Sequence, residues 1–426
     1  MIWAGVVLLL LALLAGAPLF AVLLGAAMLG FHAADIDLAI VAIEVYRIVD
    51  TPLLVALPLF TYAGYLLAEA RTSERLVDLV QSLCGWLPSG LALVGFVACA
   101  IFTALTGASG VTIVALGALL LPALQRAGYD ERFGLGLVTT SGSLGLLLAP
   151  SVPLILYGIV AQQLDVGEPF TLYELFVAGV MPMLLMLACL MAWTLWRHRG
   201  GSVPRVAFSR ASLWAALKAA RWELPLPVVV LGSIYSGWIA VSEAAAVTAL
   251  YVTLVEVVLY REVRWRQLPK VMVDSMVMVG GILLVLGVAL AFTNFLIDAE
   301  VPQRLFELAQ RHIDSALGFL LLLNVLLLVL GAMLDIFSAL VIVVPLILPV
   351  AVGYGIHPVH LGIIFLANMQ IGYFTPPVGM NLFIASYRFR KPLQELYSAS
   401  WPFMLVLLAA LLVITYVPWL SLAFVD

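Results

Sequence analysis

The sequence predicts an all-α polytopic membrane protein with two inverted repeats, each containing a re-entrant helical hairpin and a broken transmembrane helix. Of the 426 residues, 64% are hydrophobic and 10% are charged, whereas about 25% of the residues in soluble proteins are charged. Apolar runs of about 20 residues, the length that crosses a bilayer, recur along the chain. In each half, two such runs are interrupted by glycine, proline and hydroxyl residues.

The first elements are predicted to form scaffold helices. Residues 2–31 are apolar with Gly16 and Pro18 in the middle, which fits either one bent helix or two short ones. A clear span follows over 51–70. The next segment, 73–83, is amphipathic, and we call it the first arm.

Two apolar runs are each predicted to fold as a hairpin that enters the membrane and returns. The first, 87–123, is interrupted by Thr106 to Gly110, and the second, 316–350, is interrupted by Gly331 to Ser338. Each half of a hairpin is too short to cross a bilayer comfortably. A second arm with the sequence RLFELAQ (304–310) precedes the second hairpin, and it matches RLVDLVQ of the first arm.

A broken helix follows each hairpin, over 134–162 and over 358–387. The first contains Pro150 and Pro153, which lack the donor N–H, and a proline disfavours the α conformation of the residue before it. The second, Asn368 to Asn381, repeats the order polar, glycine, proline. Irregular backbone at membrane depth occurs only inside protein or along a cavity. Two such breaks indicate the substrate site of a secondary transporter.

The remaining spans complete the predicted architecture. They cover 170–196, two segments between 224 and 260, 276–297 and the C-terminal region. We divide the chain into five segments. Residues 1–86 form scaffold helices with the first arm, and residues 87–165 form the first half of a transport domain. Residues 166–314 form further scaffold helices with a basic linker (197–222) and the second arm, residues 315–387 form the second half of the transport domain, and residues 388–426 form a C-terminal arm with the last span.

The basic residues predict the orientation, because Lys and Arg accumulate on the cytoplasmic side. Segments 197–222, 261–270 and 388–391 are assigned to the cytoplasm. When the chain is traced through the membrane with this orientation, all of the 20 Lys and Arg residues lie on the cytoplasmic side except Arg47, Arg304 and Arg311. The two hairpins then enter from opposite faces, so the repeats are inverted.

The breaks are predicted to bind an anion and Na⁺. The predicted membrane core contains no Lys or Arg, so an anion would bind at helix N-termini, and unwound carbonyls and hydroxyls suit Na⁺. Alternatively, the small residues only allow helices to pack closely. The candidates for one ion are Thr106, Gly107, Ser109, Thr140, Ser141 and Gly142; those for a second are Gly331, Asp335, Gly372, Thr375 and Pro376. The rest of the predicted cavity comprises Gly110, Ser143, Pro150, Ser151, Asn368, Pro377, Gly379 and Asn381.

Four polar positions have competing interpretations. Asp335 in the membrane should face a cavity or a cation, or it caps the helix Phe337 to Val350. Glu243 fits a helix start with Ser242 as the cap. His357 and His360 have no third ligand nearby in sequence, so we expect no transition-metal site there.

These motifs resemble the large membrane (M, DctM-like) subunit of tripartite ATP-independent periplasmic (TRAP) transporters over essentially the whole chain. The matching residues are Arg-Leu-Val-Asp-Leu (75–79), Gly-x-Ser (107–109), Ala-Gly-Tyr-Asp (127–130), Leu-Gly…Pro-Ser-x-Pro (144–153), Glu-Ala-Ala-Ala-Val (243–247) and Thr-Pro-Pro-x-Gly-x-Asn (375–381). Two positions depart from the family's usual pattern: Gly110 replaces a common serine and Ala149 replaces the first of two prolines.

The resemblance implies an elevator-type, Na⁺-coupled symporter for organic acids in the bacterial inner membrane. Its partners would be a separate small four-helix membrane subunit and a periplasmic substrate-binding protein. No cofactor beyond Na⁺ and no enzymatic activity are expected. In the family, a domain equivalent to 87–165 and 315–387 moves against a fixed scaffold.

Two alternatives remain open. A Na⁺/dicarboxylate symporter of the same broad fold would need no binding protein. An intramembrane enzyme is disfavoured, because all five histidines map to the ends of predicted spans. A channel is disfavoured because a passive pore would not need two inverted broken helices opposite one another. The sequence leaves the organic acid, the Na⁺ stoichiometry and the oligomeric state undetermined.

Overall fold

The computed structural model describes residues 2–47, 51–87, 89–199, 208–235, 238–313 and 315–425, and the secondary structure of these residues is helical. Residues 200–207 of the predicted linker therefore lie outside the described residues. Among the described residues, seven helices are long and apolar enough to cross a membrane, or nine if each bent pair counts as one span. The predicted class, an all-α polytopic membrane protein, is confirmed.

Up to residue 253, the chain contains fourteen described α-helices. They are α1 (Ile2–Leu14), α2 (Leu19–Ala33), α3 (Ala39–Arg47), α4 (Ala56–Glu69), α5 (Thr72–Cys84), α6 (Gly90–Thr106), α7 (Ser109–Arg126), α8 (Glu131–Ser141), α9 (Val152–Gln163), α10 (Leu172–Ala178), α11 (Val180–Arg197), α12 (Arg210–Ala219), α13 (Pro225–Tyr235) and α14 (Val241–Thr253).

From residue 268 onward, the chain contains eight described α-helices. They are α15 (Leu268–Asp298), α16 (Val301–His312), α17 (Ala316–Met333), α18 (Ile336–Gly353), α19 (Pro358–Gly372), α20 (Met380–Phe389), α21 (Leu393–Tyr416) and α22 (Trp419–Leu422). Short 3₁₀ turns cover Pro52–Val55 and Leu144–Leu147, and a π-helical turn, Leu254–Leu259, extends α14.

The N-terminal apolar region forms two helices, which settles the alternative that the sequence leaves open. Gly16 turns the chain between α1 and α2 with a φ of +82°, a conformation that glycine adopts without steric cost. The two helices then pack closely along glycine faces. A Cβ atom on Gly5 would lie 2.5 Å from Leu29, and one on Gly25 would lie 2.6 Å from Leu9.

Both predicted hairpins are present, but the prediction that each half is too short to cross a membrane was wrong for α7, α17 and α18, which are among the seven helices long and apolar enough to cross. The first consists of α6 and α7 joined at Gly107 and Ala108, and the second consists of α17 and α18 joined at Leu334 and Asp335. Gly107 has a φ of +67°, and a Cβ atom there would lie 2.7 Å from Val152. The tip of the first hairpin therefore requires glycine for both its backbone conformation and its close contact with α9.

Both predicted broken helices are also present. The first consists of α8, which the 3₁₀ turn extends to Leu147, and of α9, and the two parts are bent by 42° at residues 148–151. The second consists of α19 and α20. The peptide bonds before Pro150 and before Pro377 are both cis.

Contacts at the hairpin bases show that the two repeats are inverted. The end of α7 packs on the start of α8, where a Cβ atom on Gly134 would lie 2.9 Å from Leu121. The end of α18 instead packs on the loop after α9, where a Cβ atom on Gly167 would lie 2.8 Å from Val352. Because α8 and α9 together run from one side of the protein to the other, the two hairpin bases lie on opposite sides.

Some predicted boundaries were wrong in detail. The helix containing Glu243 begins at Val241, and the residue before it is Ala240, so Ser242 is not the cap. Glu243 does stabilise this helix start, because its Oε2 atom accepts a hydrogen bond of 2.9 Å from the N–H of Ala240. The helix that contains the span predicted over 276–297 begins earlier, at Leu268, inside the basic segment 261–270.

Candidate functional site

The tips of both hairpins and the breaks of both broken helices meet at one cavity of about 230 Å³. The scaffold helix α15 contributes one further wall through Met278. None of the described residues lining this cavity is Lys or Arg, in agreement with the sequence. The lining comprises Gly107, Ala108, Ser109, Gly110, Leu146, Met278, Asp335, Ile336, Phe337, Tyr373, Met380 and Ile384.

Asp335 is the N-cap of α18 and also lines the cavity. Its Oδ1 atom accepts hydrogen bonds of 3.0 Å from the N–H of Phe337 and 2.9 Å from the N–H of Ser338. Its Oδ2 atom accepts a hydrogen bond from the Ser338 hydroxyl. The capping interpretation is therefore confirmed, while a cation-binding role for this partly exposed carboxylate stays a prediction.

The N-terminus of α7, at the tip of the first hairpin, carries no such cap. Ala108 occupies the cap position, and no side chain of a described residue bonds to the first N–H groups of α7. Ser109 and Gly110, the first two residues of α7, line the cavity. Uncapped N–H groups at a helix N-terminus favour a bound anion.

The other hydroxyls predicted for the first site lie behind the cavity wall. Thr106 and Thr140 donate hydrogen bonds to the carbonyls of Phe102 and Gly136, at 2.9 and 2.7 Å. Their oxygen lone pairs remain available as acceptors. Ser141, the last residue of α8, is fully buried.

Two contacts at the first break connect it to other elements. The carbonyl of Gly142 accepts a hydrogen bond of 2.9 Å from Thr103 of the first hairpin. Ser143 donates a hydrogen bond of 3.0 Å to the carbonyl of Gln370 in the second broken helix. The two breaks are therefore joined directly.

Pro150 and Ser151 do not line the cavity. Pro150 faces a small apolar gap beside Phe60 of α4. Ser151 caps α9, because its hydroxyl accepts a hydrogen bond of 3.4 Å from the N–H of Leu154, and it donates one of 2.6 Å to the carbonyl of Leu146. Both residues thus shape the start of α9.

At the second break, glycines allow the close packing that the sequence analysis considered as an alternative. A Cβ atom on Gly372 would lie 2.6 Å from the Cα atom of Gly331, so α17 and α19 touch backbone to backbone. The N–H of Gly379 donates a hydrogen bond of 2.9 Å to the carbonyl of Ala332. These glycines hold the second hairpin against the break.

The remaining predicted residues of this break make local or neighbouring contacts. Thr375, which precedes Pro376, donates a hydrogen bond of 2.8 Å to the carbonyl of Ile371. The carbonyl of Pro377 accepts one of 2.6 Å from Tyr397 of α21. Neither Thr375 nor the two prolines line the cavity.

Three amide side chains around the second broken helix have buried carbonyl oxygens without a donor among the described residues: Asn368, Gln370 and Asn381. Their nitrogen atoms are all engaged. Asn381, for example, donates a hydrogen bond of 3.2 Å to the carbonyl of Thr139, which again connects the two broken helices. An unpaired buried acceptor costs about 1–3 kcal/mol, so these oxygens are suited to accept a water molecule or a cation.

The sequence analysis missed several residues of the site. Tyr373 is buried, and its hydroxyl accepts a hydrogen bond of 2.9 Å from the N–H of Ile336 at the second tip. Asn324 bonds to Asn368 at 2.6 Å. A buried asparagine inside an apolar run is itself a signal that could have found Asn324. Gln370 lies within the second broken stretch but was not singled out.

Inverted repeats whose breaks converge on a membrane-embedded cavity define the class of protein: a membrane permease. One solved structure, of the YdaH transporter from Alcanivorax borkumensis, has a TM-score of 0.62 and 19% identity and covers 88% of this chain and 86% of that chain. At this identity the similarity shows the fold alone.

The family is shown by sequence. Residues 4–420 match the family model described as "Tripartite ATP-independent periplasmic transporter, DctM component". The "C4-dicarboxylate TRAP transporter large permease protein DctM" of Rhodobacter capsulatus is 37% identical over 92% of this chain and 91% of its own length. The chain belongs to this family of TRAP large permeases and is not an enzyme.

Family membership implies a small membrane subunit and a periplasmic binding protein as partners. The "Isethionate TRAP transporter permease protein DctMQ" of Oleidesulfovibrio alaskensis is 32% identical to this chain. The matched region covers 91% of this chain and 60% of the length of that protein.

Proposed function

We propose that this chain is the permease of a Na⁺-coupled uptake system for an organic acid, delivered by a periplasmic binding protein and moved by an elevator mechanism. The observation that carries the proposal is the meeting of two hairpin tips and two broken helices at one cavity without Lys or Arg among its described lining residues. Such a site suits a substrate bound near the membrane midplane and exposed alternately to the two sides.

The two hairpin tips would have different tasks. The uncapped N-terminus of α7 offers N–H groups to a substrate carboxylate. The N-terminus of α18 is already occupied by the carboxylate of Asp335 and by the Tyr373 hydroxyl, so this tip favours a cation. We therefore assign the substrate anion to the first tip and a Na⁺ ion to the neighbourhood of Asp335.

Residues predicted for the Na⁺ sites remain candidates in this proposal. The backbone carbonyls at Gly142 and Gly372 and the hydroxyls of Thr106, Thr140 and Ser141 are hard oxygen ligands close to the breaks. The unpaired amide oxygens of the second broken helix add to this set.

Packing suggests that the moving unit is larger than the hairpins and broken helices. In α21, the carbonyl of Ala399 would lie 2.3 Å from a Cβ atom on Gly136 of α8. In α11, Trp193 packs on Phe133 of α8 with ring centroids 6.0 Å apart. We therefore include 172–197 and 393–422 in the proposed moving unit, whereas the sequence analysis placed 166–196 in the scaffold.

The segments 197–222, 261–270 and 388–391 are proposed to face the cytoplasm, and the membrane is proposed to be the bacterial inner membrane. C4-dicarboxylates are the first substrates to test, because the Rhodobacter capsulatus relative is named for them.

The test is uptake of radiolabelled C4-dicarboxylates into proteoliposomes that contain this chain and its small subunit. The assay is run with and without a Na⁺ gradient and with and without the binding protein. Uptake that needs both supports the proposal. Uptake that needs Na⁺ alone would make the protein a simpler symporter, and uptake without Na⁺ would refute the coupling.

A further inference from the structure

At the second hairpin tip, the first N–H groups of α18 donate hydrogen bonds within the protein. Those of Phe337 and Ser338 donate to the Asp335 carboxylate, at 3.0 and 2.9 Å. The N–H of Ile336 donates at 2.9 Å to the hydroxyl of Tyr373, a residue of the second break. These three N–H groups are therefore occupied, and a further donor at this tip has to be a side chain.

The Tyr373 hydroxyl is such a donor. A tyrosine hydroxyl can accept one hydrogen bond and donate another at the same time. Its oxygen accepts the N–H of Ile336, and its O–H group donates to no acceptor in the described part of the chain. Because Tyr373 is 5% exposed and lines the cavity, the acceptor for this proton has to come from the cavity.

The other polar side chains of the cavity wall do not take this role. Hydroxyl or carboxyl side chains occur at three of the described lining residues, which are Ser109, Asp335 and Tyr373. Ser109 belongs to the first tip, and an ionised Asp335 carboxylate only accepts hydrogen bonds. Within the described lining, the side-chain donor of the second tip is therefore Tyr373.

The hydrogen bond from Ile336 makes the Tyr373 hydroxyl a stronger donor. Ile336 is the first residue of α18, a helix of 18 residues, and the aligned peptide dipoles of a helix make its N-terminus positive. A hydroxyl that accepts a hydrogen bond is polarised and donates its own proton more strongly. Tyr373 thus presents the positive end of α18 to the cavity.

The backbone of Tyr373 is fixed by both halves of the second broken helix. Its N–H donates a hydrogen bond of 3.0 Å to the carbonyl of Met369 in α19. Its carbonyl accepts one of 2.9 Å from the N–H of Asn381 in α20. The donor is therefore held in place before any substrate binds, which lowers the entropic cost of binding.

The two tips present separate donors to one cavity, the N–H groups of α7 and the O–H group of Tyr373. From this arrangement we infer that Tyr373 is a substrate-binding residue, whose O–H donates to an oxygen atom at the end of the substrate opposite the carboxylate. The site then selects acids with a second oxygen-bearing group, a hydroxyl or a carboxylate, over acids with an apolar tail.

This inference rests on the proposed function. There, the N-terminus of α7 binds the substrate carboxylate, and a Na⁺ ion beside Asp335 lowers the repulsion that a second carboxylate would meet at this tip. The cavity of about 230 Å³ has room for about eight water molecules at about 30 Å³ each, so small acids with a four-carbon chain are suitable probes.

The test compares the binding of butyrate and 4-hydroxybutyrate to the purified complex of this chain and its small subunit. The complex is held in lipid nanodiscs at saturating Na⁺, and affinities are measured by isothermal titration calorimetry. Both acids have one negative charge and the same carbon chain, so the ratio of their affinities reports the terminal hydroxyl alone. The binding protein is left out, because its own selection would otherwise dominate the result.

Tyr373→Phe removes the donor, and Tyr157→Phe is the matched control. Tyr157 donates a buried hydrogen bond of 2.5 Å to the carbonyl of Pro358 and does not line the cavity. The unchanged protein and Tyr157→Phe should bind 4-hydroxybutyrate about tenfold more tightly than butyrate, the effect of one good hydrogen bond. Tyr373→Phe should bind the two acids equally, with the affinity for butyrate changed less than about twofold and that for succinate lowered about tenfold.

Each other outcome overturns the inference. A ratio that stays the same in Tyr373→Phe removes Tyr373 from substrate binding, and equal binding of the two acids to the unchanged protein removes the selection. A ratio lost equally in Tyr157→Phe shows a general effect of losing a buried tyrosine bond. In these three cases an acid still binds, so the proposed function stands, whereas binding of none of the three acids overturns the inference and the proposed anion site together.

Discussion

Asp335 combines two roles that two substitutions separate. Asp335→Asn keeps an amide oxygen that can accept the N–H groups of Phe337 and Ser338, so the cap of α18 is retained, but the negative charge is lost. Asp335→Ala removes both the cap and the charge. A lost N-cap costs about 1 kcal/mol of stability, so only Asp335→Ala should lower the free energy of unfolding by this amount.

The charge effect on Na⁺ binding is larger. A unit charge about 4 Å from a cation contributes about 4 kcal/mol at an effective dielectric constant of 20. Because Asp335 is partly exposed on the cavity wall, solvent reduces this value, and we expect about 2 kcal/mol. Both variants should therefore raise the Na⁺ concentration for half-maximal uptake by about 30-fold, since 1.4 kcal/mol is a factor of ten.

The assay is initial uptake in proteoliposomes against external Na⁺, combined with thermal unfolding of the purified protein. Ser338→Ala is the control, because it removes the hydroxyl that bonds to Asp335 but keeps the charge. An unchanged Na⁺ requirement in Asp335→Asn would refute the assignment of Asp335 to the cation.

Three further predictions concern packing, the anion site and pH. Gly145→Ala should destabilise the protein by about 1–3 kcal/mol, because its Cβ atom would lie 2.0 Å from the carbonyl of Ala100; Gly280→Ala, with open space around it, is the control in thermal unfolding, and equal stability of the two variants contradicts the packing argument. Ser109→Leu should abolish uptake without preventing folding, because Ser109 lines the cavity. Ser141→Leu should impair folding as well as uptake, because Ser141 is fully buried. Normal uptake by Ser109→Leu counts against the anion site. Burial raises the pKa of the Glu223 carboxyl, and the nearby Arg75 guanidinium only partly opposes this shift. The folded protein therefore binds this proton more readily than the unfolded chain, and its stability falls as the pH rises through the raised pKa. The stability of Glu223→Gln should depend less on pH than that of the unchanged protein, and an identical dependence contradicts this.

The hairpins and breaks could be predicted because their cause is local. Glycine at Gly107 permits a positive φ, whereas proline at Pro150 and Pro377 fixes φ and removes a backbone donor. These effects act wherever the residues occur, and the same order appears in both halves. The capping role of Asp335 was likewise readable from its position before an apolar run.

Contacts between distant segments could not be predicted in the same way. Tyr373 bonds to Ile336, and Asn324 bonds to Asn368, and neither spacing has a periodic signature. The attachment of α21 to α8 depends on Gly136 meeting Ala399, which only the three-dimensional arrangement reveals. Pro150 and Ser151 were placed in the cavity because they lie at the break, but the bend turns them away from it.

The uncapped N-terminus of α7 has a consequence for how substrate preference can change. If backbone N–H groups hold the carboxylate, no substitution except one by proline deletes a donor, and any acid small enough to enter meets the same donors. Apart from the contact proposed for Tyr373, discrimination between acids must then come from the shape of the apolar wall, formed by Leu146, Met278, Phe337 and Ile384. Redesign of the substrate range should therefore begin with the volumes of these four side chains, because the anion-binding group can remain untouched.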